Sequence, residues 1–297
     1  MNGVAHPTPL ERLLDLIQVE PLGGDRFRGK SENIGTPAVF GGQVLGQALM
    51  ASSLTAPSGR LAHSLHAYFL LPGQHAPIDY DVERVRDGGN FAARRVVARQ
   101  QGTAIFELTA SFHAPEEGPD RHDPMPSVPG PEGIRSELEH RRAMVDRLPP
   151  AWRDKAIIPS GIEYRPVTPF ELLDASPRVA AASIWLRAAA PLPDSPGLHR
   201  ALLAYASDHG LLLTATLPHG LSLLKGEVRL ASIDHAMWFH RDFRIDDWLL
   251  YQVDSPTVSG SRALCRGSVF SHDGKLVASI VQEGLLRVRH GDAKRGP

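Results

Sequence analysis

The chain carries one plan twice, and that repeat restricts its possible folds more than any other feature of its 297 residues. After Phe40-Gly41-Gly42-Gln43, residues 44–53 are apolar and rich in helix formers, and strand-like stretches then follow at 64–71, 78–86, 91–99 and 103–112. The second half repeats this with a helical run over 198–217 and strand-like stretches at 231–239, 248–255, 261–271 and 275–289. Even the wording recurs: Ser64-Leu65-His66-Ala67-Tyr68-Phe69 echoes Asp234-His235-Ala236-Met237-Trp238-Phe239, and Gly102 and Gly274 precede the last strand of each half. Long strands joined by turns as short as Gly88-Gly89-Asn90, Gln101-Gly102 and Asp273-Gly274 predict antiparallel meanders. One helix and four antiparallel strands, twice, predict an α+β chain with a sheet wrapped around a helix in each half.

Between the halves the character changes. Pro115, Pro119, Pro124, Pro126, Pro129 and Pro131 crowd among acids and glycines, which predicts a linker, and a polar helical segment is expected over about 133–147. The expected division is 1–114, a proline-rich linker with a helical segment over 115–160, and 161–297. At the N-terminus Thr8-Pro9-Leu10-Glu11 joins a capping box to a proline at the first helical position, so a short amphipathic helix with Leu10, Leu13, Leu14 and Ile17 on one face opens the chain.

Hydrophobic residues at 42%, charged residues at 22% and a formal net charge of -1 exclude a disordered chain and one that coats nucleic acid. The lone Cys265 permits no intrachain disulfide and no thiolate cluster, which favours a reducing cytoplasmic compartment, and its strand-like surroundings mark it as packed rather than nucleophilic. No basic-then-apolar leader is present, and the apolar runs fall short of the ~20 residues that cross a bilayer, so no membrane partner is expected.

Phe40-Gly41-Gly42-Gln43-Val44-Leu45-Gly46-Gln47-Ala48, Ile233-Asp234-His235-Ala236-Met237-Trp238-Phe239-His240-Arg241, Tyr205-Ala206-Ser207-Asp208, Trp248-Leu249-Leu250-Tyr251 and Val281-Gln282-Glu283-Gly284 together resemble the acyl-CoA thioesterase II family. The resemblance covers almost the whole chain. It implies a double hotdog, two helix-wrapped antiparallel sheet units in one chain, and hydrolysis of fatty-acyl-CoA to free fatty acid and CoA with no metal or organic cofactor. It also implies a catalytic set of an aspartate at the start of the second hotdog helix, a threonine or serine before Ile-Asp-His, and a glutamine in the last strand. Those positions hold Asp208, Ser232 and Gln282. Serine replaces the commoner threonine, keeping the hydroxyl and losing the methyl that stiffens its rotamer. Hotdog sheets commonly pack against further copies, so a homo-oligomer, dimer or higher, is expected.

Taken alone, the three residues leave structural roles open. Asp208 is the one fully charged side chain between Ala201 and Leu217, where it could equally be a cap beside Ser207. Gln282 lies on the apolar face set by Leu276, Ala278, Ile280, Gly284 and Leu286, where a buried amide could simply satisfy backbone. Ser232 begins a strand and would pass for any small polar residue. Chemically the trio suits a thioester, whose carbonyl a positioned water attacks once a carboxylate takes its proton. Asp208 would be that base, directly or through Ser232; Gln282 would hold the water; and a backbone N–H near the helix start would stabilise the oxyanion.

Rival readings fare worse. Gly24-Asp25-Arg26-Phe27-Arg28-Gly29-Lys30-Ser31 matches the phosphate-loop spelling, yet what should be a helix after Ser31 runs into Gly35-Thr36-Pro37, so a strand and turn are expected. No serine sits in the Gly-x-Ser-x-Gly elbow of a serine hydrolase. The histidines, among them His63, His66, His209, His235 and His240, have no zinc-site spacing, and Asp234-His235, neighbours in a strand, should point to opposite faces. Arg94, Arg95, Arg262 and Arg266 are candidates for the CoA phosphates. The remaining alternative is a non-catalytic acyl-CoA-binding or dehydratase-like hotdog protein.

Overall fold

The computed structural model describes residues 6–289 apart from 172 and 174, so the outermost ends of the first and last expected domains, 1–5 and 290–297, lie outside the described residues. Thr8 caps α1 (Pro9–Ile17): its hydroxyl accepts the Glu11 N–H and the Glu11 carboxylate accepts the Thr8 N–H, at 2.6 Å. The buried face is Leu10, Leu13, Leu16 and Ile17, with Leu16 standing where Leu14 was expected. The phosphate-loop look-alike is a hairpin of β1 (Val19–Gly23) and β2 (Arg26–Gly29), turned through Gly24 and Asp25 in left-handed conformation.

Helix α2 (Gly41–Thr55) precedes β3 (Leu61–Phe69), β4 (Ile78–Asp87), β5 (Phe91–Gln100) and β6 (Thr103–His113); only β4, β5 and β6 form the expected meander, since β3 pairs β6 rather than β4. Short helices α3 (Glu137–Ala143) and α4 (Pro150–Ala156) follow the proline-rich stretch. Next come β7 (Ile162–Pro166) and β8 (Ala181–Ala188), neither expected from sequence, and α5 (Pro196–Ser207). The last strands are β9 (Val228–Ser232), β10 (Asp234–Phe239), β11 (Leu249–Ser259), β12 (Arg262–Ser271) and β13 (Leu276–Val288).

Two expectations need correction. The run over 198–217 is not one helix: α5 stops at Ser207, and after Gly210, with φ at +74°, the chain forms a 3₁₀ segment over Leu212–His219. The strand expected over 231–239 is two strands broken at Ile233.

All strands described join one antiparallel thirteen-stranded sheet in the order β1-β2-β4-β5-β6-β3-β10-β13-β12-β11-β8-β7, with β9 pairing beside β13. The halves meet where β3 pairs β10, with Leu65 opposite Met237, and the sheet wraps two helices. Those helices run antiparallel and close: a Cβ on Gly46 would lie 3.0 Å from the Ala201 carbonyl oxygen, and one on Gly42 would collide with the Tyr205 carbonyl. Leu45, Ala48, Leu49, Leu65, Leu202, Leu203, Met237 and Ile280 lie in one shared core.

The proline-rich stretch is a strap over the outer sheet face of the second half. There Met125, Val128 and Ile134 pack on Trp185, Leu250 and Phe270. Trp185 Nε1 donates to the Pro129 carbonyl at 2.8 Å, and Arg165 reaches the Pro131 carbonyl at the same distance.

Candidate active site

Asp208 is the C-cap of α5, not a residue of a helix start. Its position there is held by its neighbour: the Ser207 carbonyl accepts the Tyr251 hydroxyl at 2.9 Å, and the Ser207 hydroxyl donates to the Ala204 carbonyl at 2.9 Å. The same hydroxyl lies 3.0 Å from His235 Nε2; with its own proton given to Ala204, it accepts from the imidazole N–H. Burial pushes the His235 pKa down to about 4 against the pull of the Asp208 charge.

A carboxylate at a helix C-terminus faces the negative end of its own dipole. The compensating element comes from the other half. Gly41 opens α2 directly against Asp208, so that a Cβ there would sit 2.7 Å from Asp208 Oδ2 and 2.9 Å from the Phe69 ring. Helix geometry leaves the first N–H groups of α2 without intrahelical acceptors. The helix start beside Asp208 therefore belongs to the first half, which the sequence reading did not foresee. The pair Gly41-Gly42 after Phe40 was the signal, since glycines at a helix start permit close approach.

Gln282 projects from the middle of β13, fully buried. Its Nε2 donates to Asp208 Oδ1 at 2.9 Å and to Ser232 Oγ at 2.7 Å, while Ser232 Oγ donates to Asp208 Oδ1 at 3.4 Å. The structure thus brings all three sequence-predicted residues together. Gln282 Oε1 is buried with no hydrogen-bond partner.

Ser232 reaches this group because of a bulge. Pairing of β9 sets Ser232 opposite Gly284, whereas pairing of β10 sets Ala236 opposite Val281. The two registers differ by one residue, so Ile233 and Asp234 share Glu283 as their partner. Buried positions accordingly switch from Val228 in β9 to His235, Met237 and Phe239 in β10, and Ser232 faces inward with Gln282. Gly284 has no side chain because Leu212 packs where its Cβ would be.

A cleft of about 110 Å³ is lined by Leu13, Phe40, Tyr164, Tyr205, Arg141 and His209; none of the trio lines it, but Phe40 and His209 adjoin Gly41 and Asp208 in the chain. His209 stacks on Tyr164 at 4.1 Å and lies 2.7 Å from Glu137 of α3. Burial works to raise the Glu137 pKa, but the His209 and Arg141 charges hold it down at about 2.

Other side chains singled out in the sequence lie elsewhere. Cys265 is buried, and burial lifts its pKa to about 11, unlike an activated thiol. Arg94 is fully buried on the far side of the first half and bonds the C-terminus of α2, so it is no CoA ligand. Arg95, Arg262 and Arg266 pair with Glu107, Glu283 and Asp254 on the surface. Among the described residues no group of three or more His, Cys, Asp or Glu could hold a metal ion, and no helix is long and apolar enough to cross a membrane.

Comparison with known proteins bears on the family and the fold. Residues 28–113 match the family described as acyl-CoA thioesterase N-terminal domain, and residues 173–285 match the family described as acyl-CoA thioesterase. The chain is 38% identical over 288 residues to acyl-CoA thioesterase 2 of Haemophilus influenzae, covering 97% of this chain and 98% of the relative. It is 36% identical to acyl-coenzyme A thioesterase 8 of Homo sapiens, covering 92% and 88%. A solved structure of acyl-CoA thioesterase II TesB2 from Mycobacterium marinum superposes with a TM-score of 0.75 at 38% identity, over 93% of this chain and 98% of that one.

Proposed function

From the premise that the chain belongs to the acyl-CoA thioesterase family, in its double hotdog form, we propose that Asp208, Ser232 and Gln282 activate water against the thioester. The enzyme hydrolyses acyl-CoA to a carboxylic acid and CoA. The observation that carries the reading of the site is the double donation by Gln282 Nε2, 2.9 Å to Asp208 and 2.7 Å to Ser232, from a fully buried amide. That bond set fixes both oxygens relative to each other, which is what a general base and its partner hydroxyl require.

Asp208 takes the proton from water, directly or through the Ser232 hydroxyl. Gln282 Oε1, free of protein partners, accepts a hydrogen from the same water. The N–H groups at the start of α2, at Gly41 and Gly42, face the carbonyl oxygen as charge develops on it, and the dipole of α2 adds to them. The acyl chain, of the fatty class, extends into the cleft lined by Leu13, Phe40, Tyr164 and Tyr205. The same reading includes a cytoplasmic location, a homo-oligomer of two or more chains, and no nucleic acid, membrane or cofactor partner.

Asp208→Asn tests this, since it keeps the shape and removes the base. Free-CoA release should fall by about 10²–10⁴-fold in kcat with the fold intact. A variant at full speed removes Asp208 from the reaction. A stoichiometric burst of CoA with acyl label retained on Ser232 or Asp208 replaces water attack with a covalent route.

A further inference from the structure

The bulge that turns Ser232 inward leaves one backbone group to be accounted for. At a bulge two residues face one, and the ladder loses a bond. Here the Ile233 N–H donates to the Glu283 carbonyl at 2.9 Å, but the Ile233 carbonyl is directed across the sheet to the Phe69 N–H, also at 2.9 Å. The Glu283 N–H thereby loses a backbone acceptor. Its partner is a side chain: Asp234 Oδ1 accepts it at 2.6 Å. Asp234 is half-buried on the opposite side of the strand from His235, and it makes no contact with Asp208 or Gln282 among its hydrogen bonds.

We propose that Asp234 is a positioning residue for the hydrolysis: by accepting the Glu283 N–H it locks the bulge at Ile233 and so aims Ser232 at Asp208 and Gln282. This rests on the reading of Ser232 as a member of the reacting trio. The physical ground is that a period-two strand has only two settings for each side chain. In register with β10, residue 232 shares the parity of Asp234 and Ala236 and would face outward, as those residues do relative to His235 and Met237. Only the extra residue reverses it, and a half-buried N–H without an acceptor carries a desolvation cost that favours slippage toward the regular ladder. The carboxylate removes that cost at one register and no other. Glu283, on the neighbouring strand, carries the N–H through its backbone, while its side chain pairs outward with Arg262.

The test is a double-mutant cycle on the full-length enzyme, reading kcat and KM for CoA release from a fatty acyl-CoA. Asp234→Ala should lower kcat by about 10–100-fold with KM nearly unchanged, as a displaced catalytic group does. In the Ser232→Ala background the same change should cost no more than about twofold, because the residue it positions is gone. Asp234→Asn keeps an acceptor oxygen and should recover most of the loss. Should Asp234→Ala fail to fold, Asp234→Asn still decides: an asparagine variant that folds yet is as slow as the trio variants overturns the proposal. So do an Asp234→Ala enzyme at full speed and a loss that adds in full to that of Ser232→Ala, since a merely structural role lowers stability without regard to Ser232. Ser232→Ala at wild-type kcat instead removes Ser232 from the reaction, and the proposal falls with it for that separate reason.

Discussion

His235 has an asymmetric environment whose consequence is readable in solution. Its Nε2 is bound to Ser207, its Nδ1 has no partner, and burial holds its pKa down at about 4, below the ordinary 6.5 of a histidine. Between these values the unfolded chain binds a proton that the folded chain refuses, so stability rises with pH through the window. It is fully present above about 6.5 and is lost progressively as pH falls toward 4. The urea midpoint should therefore drop between pH 7 and pH 5, and His235→Gln, which keeps a donor toward Ser207 without titrating, should flatten that slope. The slope should not vanish, because burial also lowers the pKa of His199, His63 and His240. An unchanged slope would mean that His235 is protonated in the folded chain. At this scale the sequence announced Gln282, an amide on an apolar stripe, and hid Ser232, whose orientation depends on a bulge. In retrospect the bulge had a trace: apolar positions fall at Val228 and Leu230, then at Met237 and Phe239, a change from even to odd numbers.

Helix ends, more than helix bodies, distinguish the two halves. The C-terminus of α5 ends in Asp208, whereas the C-terminus of α2 is closed by Arg94, whose guanidinium donates to Thr55 Oγ1 at 3.0 Å, the Thr55 carbonyl at 2.8 Å and Asp87 at 2.7 Å. A cation there satisfies the last carbonyls and complements the dipole. Arg94→Met should destabilise the enzyme by about 2–3 kcal/mol, from lost hydrogen bonds to a charged group, with the chemistry in the other half left running at its usual kcat. Chemical unfolding monitored beside activity checks this, and an unaltered midpoint would mean that solvent replaces those bonds without loss. The meander strands were legible because they are long and alternate, and α2 because it is long, apolar and rich in helix formers. The end of α5 was not, because Leu211, Leu212 and Leu213 continue the apolar run past it; His209-Gly210 was the stop signal. Strands β7 and β8 went unread because one is five residues ending in proline and the other is rich in alanine, neither a strong strand composition.

The reactive side chains all lie in the second half, yet the first half supplies the helix start that faces Asp208 and the β3 edge on which β10 is built. A chain ending at Pro129 should release no CoA from acyl-CoA, because it lacks Asp208, Ser232 and Gln282. It should also self-associate, since β3 becomes an unpaired edge and the Gly42 and Gly46 face of α2 loses α5. Thiol release and light scattering on that fragment test both statements; measurable turnover would move the site into the first half. The strap between the halves has a further consequence, one of mass action. Two separate hotdog units would hold their β3–β10 seam only as tightly as their concentration allowed. Joined through residues 114–161, and with the strap bound along Trp185 and Arg165, the second unit meets the first at an effective concentration in the millimolar range whatever the bulk concentration. Dilution therefore cannot part this seam, and the completeness of the site within each chain is independent of how much enzyme the cell contains.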